Sequence, residues 1–226
     1  MMTIEIKPVL RTDHNYSMAS DISLPNIAET KALVEQSLLC HPLNKRGVSR
    51  NISIIMNITV GGADYYSMLP WASINYYSYL LDRHSPIILN FHLAKYWGAD
   101  SSFVTDAPEL GDILLREINF PALQCILYHE FTHLLDAIDP DFKYDSSIRE
   151  QLRKTEQAHK IIVDLWNAYI DRRLVHLLEH QYEKHIQPTK NSSNSSVDDL
   201  LRTIWSSNTR YTFLQLMQMA QRCCNV

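Results

Sequence analysis

Apolar and polar residues alternate in two segments of the first half of the chain. Residues 51–60 (NISIIMNITV) alternate well enough to predict a β-strand that is closed by Gly61 and Gly62. Residues 86–93 (PIILNFHL) predict a second strand. The first half is therefore expected to consist of strands joined by long connections.

Helical patterns occur around these strands. Residues 25–40 predict an early amphipathic helix, and the aromatic-rich segment Tyr65–Leu81 predicts a further helical segment. Residues 98–108 form a polar loop by composition, and Asp106 and Pro108 suit the start of a short helix after it.

The second half of the chain has a helical pattern throughout. One helix is predicted over residues 121–138, because Pro suits a first helical turn and Pro140 cannot continue the helix. A second long helix is predicted over residues 147–187. A Ser- and Asn-rich loop over residues 187–196 and a last helical stretch to about Cys224 follow.

Strands that precede helices predict an α+β architecture and not an alternating α/β one. The length of 226 residues suits a single domain. The change of pattern divides it into a strand-containing half, about 1–140, and a helical half, about 141–226. Hydrophobic residues make up 46% and charged residues 20%, which is typical of a folded globular protein and argues against a disordered one.

Charge and cysteine content narrow the expected partners and location. A net charge of −4 supplies no basic field, so nucleic acid is not expected as a partner. The first eight residues lack the apolar stretch of a secretory signal, and no apolar window approaches the roughly 20 residues that span a bilayer. Cys40, Cys125, Cys223 and Cys224 have no metal-ligand spacing. We therefore expect a cytoplasmic protein with reduced thiols and no membrane partner.

One five-residue motif carries recognisable chemistry. His129-Glu130-Phe131-Thr132-His133 has the pattern His-Glu-x-x-His. Residues i and i+4 lie on one helix face a turn apart, so both imidazoles can bind one metal ion. Glu130 is rotated by about 100° and can reach a water at the open position of the ion, which makes it the candidate general base.

The surroundings of the motif favour this interpretation. The helix predicted over residues 121–138 has one broad apolar face, formed by Leu123, Leu127, Phe131, Leu134, Leu135 and Ile138. Burial of that face would leave the two histidines at its margin. The alternative interpretation is two partly buried core histidines that bind no metal.

This helix resembles the motif helix of the zincin metallopeptidases. The resemblance covers the motif helix closely and the strand-then-helix order loosely. It implies a zincin-like fold, a Zn²⁺ ion, hydrolysis of peptide bonds, and a cleft between a strand-containing half and a helical half. In such enzymes an edge strand pairs with the extended substrate, and residues 86–93 would take this role.

Two histidines require a third protein ligand to complete a catalytic zinc site. The metzincin pattern has Gly and His three and six residues after the second histidine, where this chain has Asp136 and Asp139. Asp136 lies a turn further along the helix and suits a hydrogen bond to a ligand better than direct ligation.

Asp171 in the next predicted helix is the stronger candidate for the third ligand. Asp164, Asn167 and Asp171 share one helix face, and acids buried on an otherwise apolar helix need a partner such as a metal. The arrangement resembles gluzincins and their Asp-using relatives, in which a carboxylate on a second helix completes the site. We predict that His129, His133 and Asp171 bind zinc, with a solvated polar stripe as the metal-free alternative. The other ligand candidates are Asp136, Asp139, Glu150 and Glu156.

A second motif, His176-Leu-Leu-Glu-His180, is the inverted form of the first. Inverted-motif zincins need a Glu ligand far downstream, and this chain has no Glu after Glu183. A solvated helix end is the preferred interpretation. Arg172 and Arg173 could bind a substrate carboxylate, although ion pairs are the commoner use of such residues.

The sequence thus predicts a zinc-dependent hydrolase, in particular a metallopeptidase that acts on a peptide or protein substrate with Glu130 as its base. Two other classes stay open. One is a regulatory or binding protein that keeps the zincin fold without turnover. The other is a metal-free helical interaction protein in which the motif is fortuitous.

Overall fold

The computed structural model describes residues 2–12, 15–18, 27–47, 52–60, 72–92, 120–147, 156–177 and 195–224. The chain divides into two compact units, Met1–Phe131 and Thr132–Val226, and the boundary falls inside the helix that carries the motif. A single domain with halves of about 1–140 and 141–226 stays a prediction.

The first unit contains a five-stranded mixed sheet with the order β2-β1-β3-β5-β4. Its strands are β1 (Thr3–Thr12), β2 (Asn15–Met18), β3 (Ser53–Val60), β4 (Ala72–Asn75) and β5 (Ile87–His92). Strands β1, β3 and β5 run parallel, whereas β2 and β4 pair antiparallel at the two edges. The strands predicted over residues 51–60 and 86–93 are confirmed as β3 and β5.

The two faces of β3 and β5 differ in polarity because side chains alternate along a strand. The buried cross-strand pairs are Ile54 with Ile87, Met56 with Leu89, and Ile58 with Phe91. On the opposite face the Asn57 amide donates to Asn90 Oδ1 at 3.0 Å, and the Asn90 amide donates to Ser73 Oγ at 3.4 Å. This polar row joins three neighbouring strands.

Two expectations about the sheet are wrong. Residues 86–93 were expected to form an edge strand, but β5 pairs with β3 on one side and β4 on the other. Residues 65–81 were expected to be helical, but they include β4, and among their described residues only α2 (Tyr77–Leu81) is helical. A four-residue edge strand carries too little of the period-2 pattern to be recognised, and its pairing with β5 determines its conformation.

The predicted early helix is confirmed as α1 (Ile27–Cys40), whose buried residues lie on one stripe. These residues are Thr30, Val34, Ser37 and Leu38. A 3₁₀ helix, Pro42–Arg46, follows, and His41 caps its start by accepting the Leu43 N–H at Nδ1 over 3.1 Å. Gly47, at φ 74°, ends this helix in the left-handed conformation.

The motif helix is confirmed as α3 (Phe120–Ile138), which ends before Pro140 as predicted. The second unit continues with α4 (Glu156–Leu177), which lies within the predicted long helix. Residues 148–155 and 178–194 of the predicted helix and loop, and the loop and short helix predicted from residue 98, lie outside the described residues. The order of described elements confirms the α+β class.

The predicted last helix is wrong as a single stretch. The structure has two helices, α5 (Ser195–Ser206) and α6 (Phe213–Cys224), separated by a non-helical segment at residues 207–212. Each buries a separate stripe of apolar residues, which are Val197, Leu201 and Ile204 in α5 and Phe213, Leu216 and Ala220 in α6.

None of the described helices is both long enough and apolar enough to cross a bilayer.

Candidate metal centre

Helix α3 carries the His-Glu-x-x-His motif within its continuous helical stretch. His129 and His133 are half-buried, whereas Glu130 is only 5% exposed. The apolar side of the helix is fully buried at Leu123, Leu127, Phe131 and Leu134. The i, i+4 spacing is therefore realised on one helix, and both histidines lie at the margin of its apolar face as predicted.

Part of the α3 apolar face in the first unit packs against His41. The His41 ring lies edge-on to Tyr128 and Phe131, with centroid separations of 5.3 and 5.9 Å. Because its Nδ1 accepts the Leu43 N–H, this buried histidine serves the local fold.

His133 contacts α4 within the second unit. Its Nε2 atom lies 3.0 Å from Oδ1 of Asn167. The His133 ring also lies edge-on to the indole of Trp166, with ring centroids 4.5 Å apart and an interplanar angle of 81°. These two contacts, from adjacent residues of α4, fix both the position and the tilt of the imidazole.

Asp136 follows His133 by three residues on α3 and is held by the same helix α4. Its buried carboxylate accepts the Trp166 Nε1–H at 2.8 Å and two bonds from the Arg173 guanidinium, at 2.8 and 2.6 Å. Burial raises the pKa of the Asp136 carboxyl, and the hydrogen bond and charge of Arg173 oppose that rise. Both oxygens are therefore committed to α4.

Trp166 is itself held by an aromatic cluster in the second unit. Its indole packs against Phe142, Tyr144 and Phe213 with centroid separations of 5.4, 5.5 and 5.5 Å. The Phe213 N–H donates to the Phe142 carbonyl at 2.8 Å, which ties the start of α6 to this cluster. The hydrogen bond to Asp136 and the contact with His133 thus come from a rigid side chain.

The two arginines considered for substrate binding have structural partners. Arg173 pairs with Asp136, and its guanidinium lies 4.2 Å from the centroid of the Tyr169 ring. Arg172 is buried and donates to the carbonyls of Ile204, Ser207 and Thr209, at 3.2 Å for Ile204 and 2.9 Å for Thr209. Burial lowers the pKa of Arg172 from its ordinary value.

The candidates for the third ligand have different environments. Asp171 is half-buried and lies one turn beyond Asn167 on α4. Among the described residues, which include His129, His133 and Asp171, no three His, Cys, Asp or Glu side chains form a group that could hold a metal ion. Ligation by these three residues stays a prediction.

The structure describes only some of the other residues that were considered as metal ligands. Asp139 accepts a 2.8 Å bond from Arg210 and the Asp141 N–H at 3.1 Å. Glu150, the side chains of Glu156 and His176, and residues 178–180 of the inverted motif lie outside the described part. Of the alternatives with described side chains, Asp136 and Asp139 already serve as ion-pair partners.

Asn167 and Trp166 are the residues beside His133 that sequence reasoning did not assign to the site. The sequence indicated that Asn167 shares a polar face with Asp164 and Asp171, but the search for a third ligand favoured carboxylates. Trp166 was assigned to the opposite, apolar face. The one-turn spacing of Asn167 and Asp171 was recognised, but which residue of α4 lies beside His133 depends on how α3 and α4 pack.

Comparisons with known proteins add no relative. No family model matches the chain, and neither the curated proteins nor the solved structures contain a match. The resemblance to zincins therefore rests on the residues of α3 and on the order of the elements.

Proposed function

We propose that this protein is a zinc-dependent hydrolase with a zincin-like catalytic centre, and that its substrates are peptides or proteins. The observation that carries the proposal is the helical motif on α3, in which two half-buried histidines flank a buried glutamate. A cytoplasmic location without nucleic-acid partners stays a prediction from composition.

His129 and His133 are the residues that would hold the metal. Their spacing fits a single ion, and the contacts of His133 with Asn167 and Trp166 favour a fixed ring orientation. When bound, zinc supplies a Lewis acid that lowers the pKa of a water and polarises a carbonyl. The sequence-based expectation is that α4 supplies the third donor through Asp171.

Glu130 would act as the base. Its carboxylate accepts a proton from the attacking water and then donates it to the departing amine, so the residue ends the cycle ionised again. Burial of this side chain limits competition from bulk water during the transfer. General acid–base catalysis of this kind increases the rate roughly 10²–10⁴-fold.

The edge strand β4 supports a peptide as the substrate class. In the described part of the sheet β4 pairs on one side only, with β5, so its other edge can accept an extended chain. The role that the resemblance gave to residues 86–93 therefore moves to Ala72–Asn75. Backbone pairing of this kind binds many sequences, with side-chain pockets adding selectivity.

The variant Glu130→Gln tests the proposal. We expect it to retain bound zinc, measured by emission spectrometry, and to lose about 100-fold or more of wild-type activity on a mixed peptide library. Glu35→Gln, at an exposed position of α1, is the control and should leave both properties unchanged. Full activity in Glu130→Gln would contradict the role of Glu130 as the general base. Zinc binding by wild-type protein that hydrolyses no peptide would favour the inactive binding protein instead.

A further inference from the structure

An amide oxygen of α4 faces His133 within the second unit. Asn167 Oδ1 lies 3.0 Å from His133 Nε2, the ring nitrogen farther from the backbone. His133 and Asn167 are both half-buried, so their facing atoms lie at the boundary between solvent and the core. A site at this boundary can exchange a ligand with solvent.

The separation of these two atoms fits two ligands of one cation. With metal–nitrogen distances of about 2.0–2.1 Å and metal–oxygen distances of about 2.0–2.2 Å, bond angles between a right angle and the tetrahedral value place the two donors about 2.8–3.5 Å apart. The observed 3.0 Å lies in this range. The same atoms can therefore pass from a hydrogen bond to shared coordination with little movement.

The described carboxylates compete poorly for this position. Asp136 receives three hydrogen bonds from Trp166 and Arg173, and Asp139 is paired with Arg210. Asp171 lies a full turn from Asn167, and it forms no three-residue metal group with the motif histidines. Asn167 Oδ1, by contrast, already faces His133 Nε2 at 3.0 Å.

We propose that Asn167 Oδ1 is the third protein donor to the metal ion that His133 binds, in place of the carboxylate of Asp171. This inference rests on the proposed zinc function. A set of two imidazoles and one amide is neutral, so the ion keeps its full charge of +2. The ion is then a stronger Lewis acid but is bound more weakly than by a set with a carboxylate.

The charge argument gives a gain-of-affinity test. Asn167→Asp keeps the shape of the side chain and adds one negative charge at the donor atom. We expect it to bind zinc at least about tenfold more tightly than wild type, and Asn167→Ala at least about tenfold more weakly. Affinities are measured by competition with a chelator at a pH where histidine is neutral. Asp171→Asn removes a charge one turn away and should change the affinity less than about threefold. Melting of each metal-free variant separates loss of binding from loss of folding.

A thiolate reporter separates ligation from mere orientation of His133. In Asn167→Cys loaded with Co²⁺, a sulfur ligand produces an intense thiolate-to-cobalt charge-transfer band, which a thiol outside the coordination sphere does not. We expect the band in Asn167→Cys and its absence in Asp171→Cys, with wild type as the baseline for the four native cysteines.

Three results would overturn the inference. The first is unchanged zinc affinity in both Asn167→Asp and Asn167→Ala. The second is a charge-transfer band in Asp171→Cys but not in Asn167→Cys. In both cases wild-type zinc binding would leave the proposed hydrolase standing. The third is wild-type protein that binds no zinc, which would overturn the proposed function together with this inference.

Discussion

The indole Nε1–H of Trp166 donates a 2.8 Å hydrogen bond to Oδ2 of Asp136. The same carboxylate accepts hydrogen bonds from both terminal nitrogens of Arg173. These bonds join the last turn of α3 to α4 just after His133. The position of His133 relative to α4 is therefore supported by a buried acid whose two oxygens both accept hydrogen bonds from α4.

Removal of the Asp136 carboxylate should destabilise the second unit. Asp136→Ala leaves the Trp166 N–H and the Arg173 guanidinium without this acceptor, and we expect a loss of about 2–3 kcal/mol in the free energy of unfolding. Asp136→Asn keeps one acceptor oxygen and should lose less. Urea denaturation provides the measurement, and a loss below about 0.5 kcal/mol in Asp136→Ala would contradict this role.

Arg172 should stabilise the connection between α5 and α6. Arg172→Met removes the donors to the carbonyls of Ile204, Ser207 and Thr209 and should cost about 2–3 kcal/mol. Hydrogen exchange of the amides of residues 207–212 should accelerate in this variant. The control is Arg202→Met, because the Arg202 side chain is 81% exposed, and it should stay within about 0.5 kcal/mol of wild type. Equal losses in both variants would contradict the assignment.

Asp164 should reduce stability as the pH rises. Burial raises the pKa of the Asp164 carboxyl, and the charge of Lys160 opposes that rise. A carboxyl with a raised pKa in the folded state holds its proton more tightly there than in the unfolded chain. Its favourable contribution is therefore complete at pH values below the ordinary pKa and is lost as the pH rises through the folded pKa.

The variant Asp164→Asn removes this titration. We expect it to be at least as stable as wild type at neutral pH and to show a flatter dependence of unfolding free energy on pH above the ordinary pKa of Asp. Asp199→Asn, whose side chain is 77% exposed in wild type, controls for the loss of one acidic charge. A less stable Asp164→Asn protein at neutral pH would show that the ionised carboxylate is favourable.

Leu89 should contribute to the stability of the protein by packing on the buried face of the sheet. Leu89→Ala leaves a cavity beside Met56 in a fully buried row and should cost about 2–4 kcal/mol. Ile88→Ala removes a similar side chain from the opposite, half-buried face of β5 and should cost clearly less. Equal costs, measured by urea denaturation, would contradict the assignment of the two faces.

The local pattern of apolar and polar residues was sufficient to predict β3, β5 and α3. β3 and β5 alternate buried and half-buried residues, and α3 combines a broad apolar face with Pro140 just after its end. Strand β1 was not predicted, although residues 4–7 alternate, because Pro8 interrupts the alternation after four residues and the pairing with β3 is a long-range contact. At the break between α5 and α6, three backbone carbonyls accept hydrogen bonds from Arg172, which is distant in sequence.

The candidate site divides in the same way. The i, i+4 spacing of His129 and His133 is local, so the sequence alone predicted their common helix face. The neighbour of His133 on α4 depends on how two helices pack, and sequence restricted it only to the polar face of Asp164, Asn167 and Asp171. The structure places the Asn167 Oδ1 atom of this face 3.0 Å from His133 Nε2.

Zinc binding to the purified chain, measured by titration calorimetry after removal of adventitious metal, tests the central claim most directly. The proposal predicts about one zinc ion per chain, an affinity at least about tenfold lower in His129→Ala and in His133→Ala, and no change in the exposed-site control His84→Ala. A wild-type chain that binds no zinc, or motif variants that bind it as tightly as wild type, would contradict the proposal.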